Sequence, residues 1–211
     1  MEKAREPART RKRILSAARR EFSSKGFAGA RMEGIARGAG VSKQLILHHF
    51  KSKEKLYIAV HELLSRPALQ PEDFLSGNPF DVAADRFQRR VKNLDYVRLL
   101  TWEAAGIRNR ALPGESERRE QVVRMGASLR NLHAAGRLPK EMNYRMIHLA
   151  IVSLASYPLS FTEITRLITG RKCTDPRFKR EWSGFLRQMG KLLLSSVETL
   201  GPTAWNRTAK S

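Results

Sequence analysis

The tetrad Gly38-Ala39-Gly40-Val41 constrains the fold of this chain more than any other stretch. Before it, Met32, Ile35 and Ala36 recur at the spacing of one helix face. After it, Ile46 and Phe50 stand four apart and do the same. A turn this tight needs backbone angles that glycine adopts easily and other residues resist. Two short helices joined by a Gly-containing turn make a helix-turn-helix. The spacing predicts helices over about 32–38 and 43–50, with Ser42 capping the second and Val41 filling the gap between them.

The rest of the chain reads as helix as well. No long alternating apolar run and no Asn-Gly hairpin turn is present, so the fold class is all-α. A first helix is predicted over about 10–25, where Ile14, Leu15, Ala18 and Phe22 share one face and Lys12, Arg13, Arg19 and Arg20 the other. Gly26 ends it. Ser52 caps a fourth helix over about 53–64. Three prolines in 66–80 mark a linker. Asn78-Pro79 reads as cap and first helical position, opening helices over about 79–92 and 94–107. A loop near 108–115 precedes a helix over about 116–135. One long helix over about 142–169, interrupted at Pro158, and a last one from Asp175-Pro176 to about Leu200 complete the pattern. The division expected is a head at 1–64 that includes the connecting helix, a body at 65–200 and a frayed tail at 201–211.

Forty Lys+Arg against twenty Asp+Glu leave a net charge of +20, a surface that favours polyanions. The excess is spread over both halves, so charge alone does not choose between nucleic acid, membrane and acidic partners. The N-terminus lacks an apolar signal core. The longest apolar stretch, around 147–159, is broken by His148 and Pro158 and is too short to span a bilayer. The single cysteine, Cys173, allows no disulfide within the chain. A cytoplasmic protein with no membrane partner is expected.

The third helix has one apolar stripe, Ile46 and Phe50, and is too short to be buried all round. Lys43, Gln44, Leu47 and His48 therefore face outward. Gln bonds the adenine edge, Lys bonds guanine, and Leu touches a thymine methyl. Lys51, Lys53 and Lys55 follow, beside the N-terminal amides of the fourth helix, at a place suited to phosphates. His48 and His49 point about 100° apart on a helix and chelate poorly, so no metal site is expected. No nucleophile elbow, Gly-rich phosphate loop, HExxH or cysteine cluster is present; neither an enzyme nor a cofactor is expected.

From Thr10 to Val60 the residues resemble the DNA-binding domain of the tetracycline-repressor (TetR) family. The resemblance rests on Phe22 and Gly26-Phe27, on Met32-x-x-Ile35-Ala36, on Ala39-Gly40-Val41-Ser42-Lys43, and on His49-Phe50-Lys51-Ser52-Lys53-Glu54-x-Leu56. It implies an Ω-like fold, with a three-helix head on a larger helical body that binds a ligand and dimerises. It further implies that Ser42, Lys43, Gln44, Leu47, His48, His49 and Lys53 contact double-stranded DNA, and that Thr10 approaches the backbone from the first helix. Simple packing remains the other reading of His49. Two departures stand out. Leu47 replaces the tyrosine common in the family. Ala30-Arg31 replaces the usual Thr or Ser before the second helix, a weak cap for which a phosphate contact by Arg31 compensates. Arg19 and Arg20 read as plain surface.

The chain is thus expected to be a sequence-specific transcriptional regulator. By resemblance it represses from a palindromic operator and is released by a small-molecule effector whose identity the sequence does not reveal. The last two helices, through Leu149, Val152 and Ser153 on one and Phe185, Met189 and Leu192 on the other, would form a four-helix bundle in a homodimer. Phe87, Tyr96, Leu99, Trp102, Glu103, Met125, Tyr157 and Phe161 are candidates for the effector pocket, although helical spacing makes the apolar ones core by default and Glu103 reads equally as a surface charge. The alternative from another class is a nonspecific or architectural DNA-binding protein that uses charge rather than base reading.

Overall fold

The structure, a computed structural model, describes residues 2–65, 78–106 and 112–199; the side chains of 2–5, of Met125 and of 193–199 are not described. Residues 66–77 of the expected linker, 108–111 of the expected loop and the tail lie outside the described residues. Those described form ten α-helices and no strand: α1 Glu2–Gly29, α2 Met32–Ala39, α3 Lys43–Phe50, α4 Lys53–Ser65, α5 Pro79–Val91, α6 Leu94–Gly106, α7 Glu115–Ala134, α8 Tyr144–Ser160, α9 Thr162–Thr169 and α10 Pro176–Thr199. They fall into two compact units. One comprises residues 1–68 and 92–121, the other 69–91 and 122–211. The unit that holds the helix-turn-helix thus also takes in α6 and the first turns of α7.

The first unit is organised around α1. Ile14, Ala18 and Phe22 are fully buried, against α2, α4 and α6. Phe22 meets the Tyr57 ring of α4 edge-on at 5.0 Å, and Tyr57 in turn meets Phe27 at 5.1 Å. Helix α1 begins eight residues earlier than periodicity predicts, and Pro7 lies inside it. Residues 6–9 are exposed and carry no apolar stripe, so no periodicity marks them. Gly26 is the predicted breaker: its φ of 67° and ψ of 179° kink the chain within α1. A side chain there would also strike the ring of Trp102, whose atoms come within 3.2 Å of where its Cβ would lie.

The second unit has its core among α5, α7, α8 and α10, where Ala83, Ala84, Leu129, Ile151 and Leu186 are fully buried. Caps appear where the sequence places them. Asn78 Oδ1 accepts from the Phe80 amide at 2.9 Å, and Asp175 Oδ1 from that of Arg177 at 2.7 Å. Arg90, buried on α5, donates to the Val152 carbonyl at 3.1 Å and to the Ser156 hydroxyl, tying α5 to α8.

The long helix expected over 142–169 is two helices bent by 86°, and the break falls at Phe161 rather than at Pro158. Proline cannot donate to the carbonyl four residues back, here Leu154. That carbonyl instead accepts from the Trp182 indole of α10 at 3.3 Å, and α8 runs on past the proline to Ser160. The corner is then held by Thr165, whose hydroxyl donates to the Phe161 carbonyl at 2.9 Å. Trp182→Phe keeps the stacked ring but removes the donor. It is expected to cost about 1–3 kcal/mol, read as a lower urea midpoint, because the carbonyl then lacks both partners. An unchanged midpoint would show that the Leu154 carbonyl needs no such donor. No single helix among the described residues is long and apolar enough to cross a membrane.

Candidate DNA-reading surface

The geometry of the surface starts at the turn. Gly40 takes φ 62°. The Val41 amide donates to the Ala36 carbonyl at 3.1 Å and the Gly40 amide to that of Arg37 at 3.2 Å, the paired closure of a helix end that needs a left-handed residue. Ser42 then caps α3 by accepting from the Leu45 amide at 3.1 Å. Lys51 closes α3 at φ 65°, and Ser52 opens α4 by accepting from the Lys55 amide at 3.1 Å.

These closures leave α3 with Ile46 and Phe50 buried, while Lys43, Gln44, Leu47 and His48 are exposed. The outward face expected from the sequence is therefore free for a partner. His49 is half-buried beside Phe50. Lys53 is half-buried with its ammonium 4.8 Å from the Phe27 ring centroid, and burial lowers its pKa. Thr10 is half-buried well inside α1, not at its first turn. Lys43 reaches back to Glu33 at 2.6 Å. With both side chains at least half exposed, the pair is screened by solvent and contributes little, so a base or phosphate can compete for the ammonium.

Several contributors to this surface were not legible in the sequence. The basic side of α1 does not simply face solvent. Arg13 Nη2 donates to the Gly40 carbonyl at 3.2 Å and Arg20 Nη2 to that of Gly38 at 3.3 Å. Two guanidinium groups thus hold the negative end of α2 and the turn after it. Arg19, also expected to be plain surface, pairs with Asp95 of α6 at 2.6 Å. The weak cap expected at Arg31 is repaired from within the protein. No side chain of Arg31 caps α2, but Glu21 Oε1 accepts from the Arg31 amide at 3.2 Å. The Lys25 ammonium, and then that amide, hold the Glu21 carboxyl below its usual pKa. A phosphate contact is not needed to rescue the cap.

Comparison with known proteins decides the family. The TetR_N model (Bacterial regulatory proteins, tetR family) matches residues 14–60, and TetR_C_29 (Tetracyclin repressor-like, C-terminal domain) matches residues 82–189. The chain belongs to the TetR family. TetR-family relatives include the HTH-type transcriptional repressor SCO4008 of Streptomyces coelicolor, 29% identical over 170 residues that cover 79% of this chain and 87% of that one. The HTH-type transcriptional regulator RutR of Escherichia coli is 60% identical, but only over 50 residues, 24% of each chain. Among solved structures, Salmonella enterica GusR has a TM-score of 0.64 at 23% identity, covering 88% of this chain and 95% of its own, which speaks for the fold. This chain is a DNA-binding transcriptional regulator with the all-α architecture of TetR-family proteins.

The eight residues singled out for an effector pocket fall in both units. On α6, Tyr96 and Leu99 are buried, and Trp102 is half-exposed with its indole donating to the Ser23 carbonyl at 3.2 Å. Glu103 is deeply placed. Its carboxylate takes both Arg118 nitrogens, at 2.7 and 2.9 Å, and the Tyr57 hydroxyl at 2.7 Å. Burial, then the Glu103 charge, raise the Tyr57 pKa well above that of an exposed phenol. In the second unit Phe87 is core, edge-on to Phe178 at 6.1 Å. Tyr157 and Phe161 pair with each other at 4.8 Å on the exposed end of α8. The Met125 side chain lies outside the described residues.

Proposed function

We propose that this TetR-family chain is a repressor that binds a palindromic operator as a homodimer and leaves it when a small molecule binds the body. The observation that carries the reading is the outer face of α3, where an amide, a cation and an apolar group stand exposed over a buried Ile46–Phe50 seam. A cation-rich surface without that face would favour nonspecific binding; an amide and an apolar group suit base edges. Residues 1–64 read DNA, and residues 65–200 bind the effector and the second copy. Ser42, Lys43, Gln44, Leu47 and His48 meet the major groove, with Arg31, His49, Lys53 and Thr10 nearer the backbone.

The dimer forms through α8 and α10. Leu149, Phe185 and Leu192 are each more than half exposed, as an unfilled bundle face would be. Ser153 is exposed too, and Val152 half-buried. Met189, expected on that face, instead packs against the core of its own unit. A two-fold dimer places two copies of α3 about 34–36 Å apart, one turn of duplex.

Gln44→Ala tests base reading. In a selection from random duplexes it is expected to relax the preference at one position per half-site, with a loss of about 1–3 kcal/mol against the original operator. Equal loss on every sequence, or recovery of no motif by the unaltered protein, would move the chain to the architectural class.

A further inference from the structure

The second unit contains an apolar cavity of about 280 Å³ that none of the eight pocket candidates lines. It opens where the first turn of α5 meets the start of α8. Phe80 and Ala150 line it together with the buried Leu138 and Ile147, which form its floor, and the exposed Met142 and Met146, which form its rim. The floor residues belong to the core cluster of this unit, whereas the rim methionines are 40% and 58% exposed.

The lining determines what chemistry it accepts. No charged side chain faces the cavity. Its one polar side chain, Asn143, already caps α8, with Oδ1 accepting from the Arg145 amide at 2.8 Å. A charged or strongly hydrogen-bonding group would thus be desolvated there without compensation. The volume is near the lower limit for small-molecule pockets, and roughly twice that of the ~150 Å³ apolar cavities that stay dry and admit benzene. Methionine at the mouth is unbranched and polarisable, and adapts to an apolar guest.

We infer that this cavity is the binding site of a compact, uncharged, apolar small molecule of about ten carbon atoms. The inference rests on the ligand-responsive reading proposed above and adds to it a place and a chemical class. A guest seated on Leu138 and Ile147 presses on the cluster that joins α5, α7, α8 and α10, so occupancy alters packing within the body. Met146 lies near Leu149 on the exposed side of α8, which makes a second copy of the chain the competing occupant of the mouth.

The test is a spectrum of the full chain with its six methionines methyl-labelled, titrated with naphthalene and, separately, with 2-naphthoate. The Met142 and Met146 signals are expected to move with naphthalene and to respond at least about tenfold more weakly to the carboxylate. Ala150→Trp, which fills the cavity, is expected to abolish the response. Met146→Glu, at an exposed position where folding is not at stake, is expected to weaken it by about tenfold or more. Unmoved rim signals, equal binding of the carboxylate, or signals that move only on dilution through the dimer–monomer transition would each overturn the inference. Operator binding in the same samples separates the two ideas. Rim signals that respond while the operator stays bound would keep the site and remove its role in release.

Discussion

Glu103→Ala is expected to destabilise the chain by about 3–5 kcal/mol in urea denaturation, the usual loss when one partner of a buried ion pair is removed. The Glu103 side chain is 9% exposed and that of Arg118 19%, the most enclosed ion pair among the described residues. The carboxylate also receives the Tyr57 hydroxyl of α4. Without it, a guanidinium is left enclosed with no counter-charge in reach, and a phenol loses its acceptor. Removing both charges is a different matter. Glu103→Leu with Arg118→Met is expected to restore most of the loss, because the cost lies in the uncompensated charge more than in the missing attraction. A loss below about 0.5 kcal/mol for the single variant, the scale of a surface substitution, would show that the pair is solvated and replaceable.

Acid should weaken the fold well before the carboxylates titrate. His61 is 5% exposed, and its Nε2 has no hydrogen-bond partner. Burial first, and the charge of Arg118 second, lower its pKa to about 4, with Glu103 opposing. In the unfolded chain a histidine titrates near 6.5. The folded state thus keeps His61 neutral, and its contribution is complete above about pH 6.5. As pH falls from there towards 4, the unfolded chain binds a proton that the folded chain refuses, and stability declines by about 3 kcal/mol. His148 is lowered to about 4 by burial and then by the charge of Arg86, and adds to the same window. Glu21, Glu33 and Asp175, held below their usual values, lose their contributions only at more acid pH. Urea midpoints between pH 7 and 4.5 should therefore fall steadily, and by about half as much in His61→Leu. A flat profile down to pH 5 in the unaltered chain would mean that these imidazoles accept protons inside the fold.

What could be read from the sequence was what neighbours in the chain determine. Ser42, Ser52, Asn78 and Asp175 accept hydrogen bonds from amides two or three residues ahead, and Ile46 and Phe50 lie four apart on one face. Caps and periodicity act over such distances. Gly40 advertised its left-handed angle because few other residues adopt it. The features that were missed depend on partners far along the chain. Glu21 caps α2 from ten residues away, Arg13 reaches Gly40 over twenty-seven, and Trp182 rescues the Leu154 carbonyl over twenty-eight. The last of these moved the helix break from Pro158 to Phe161. Aromatic content pointed to Phe87, Tyr157 and Phe161 for a pocket, yet one is core and two stand at the surface. The cavity is built instead from the first residues of α5, from Leu138, Pro139, Met142 and Asn143 before α8, and from Met146, Ile147 and Ala150 in its first turns, and bringing those segments together is a matter of tertiary packing that no local pattern announces.

The two arginine bonds to the carbonyls of Gly38 and Gly40 have a consequence for the history of such a protein. They fasten the turn by its backbone, from a helix that is not the reading helix. None of the exposed positions on α3 takes part in them. Substitutions at Gln44, Leu47 or His48 can therefore accumulate at little cost to the head that carries them. Descendants of this chain can acquire new operators by changing a few letters on one surface, while the frame that presents those letters is inherited intact.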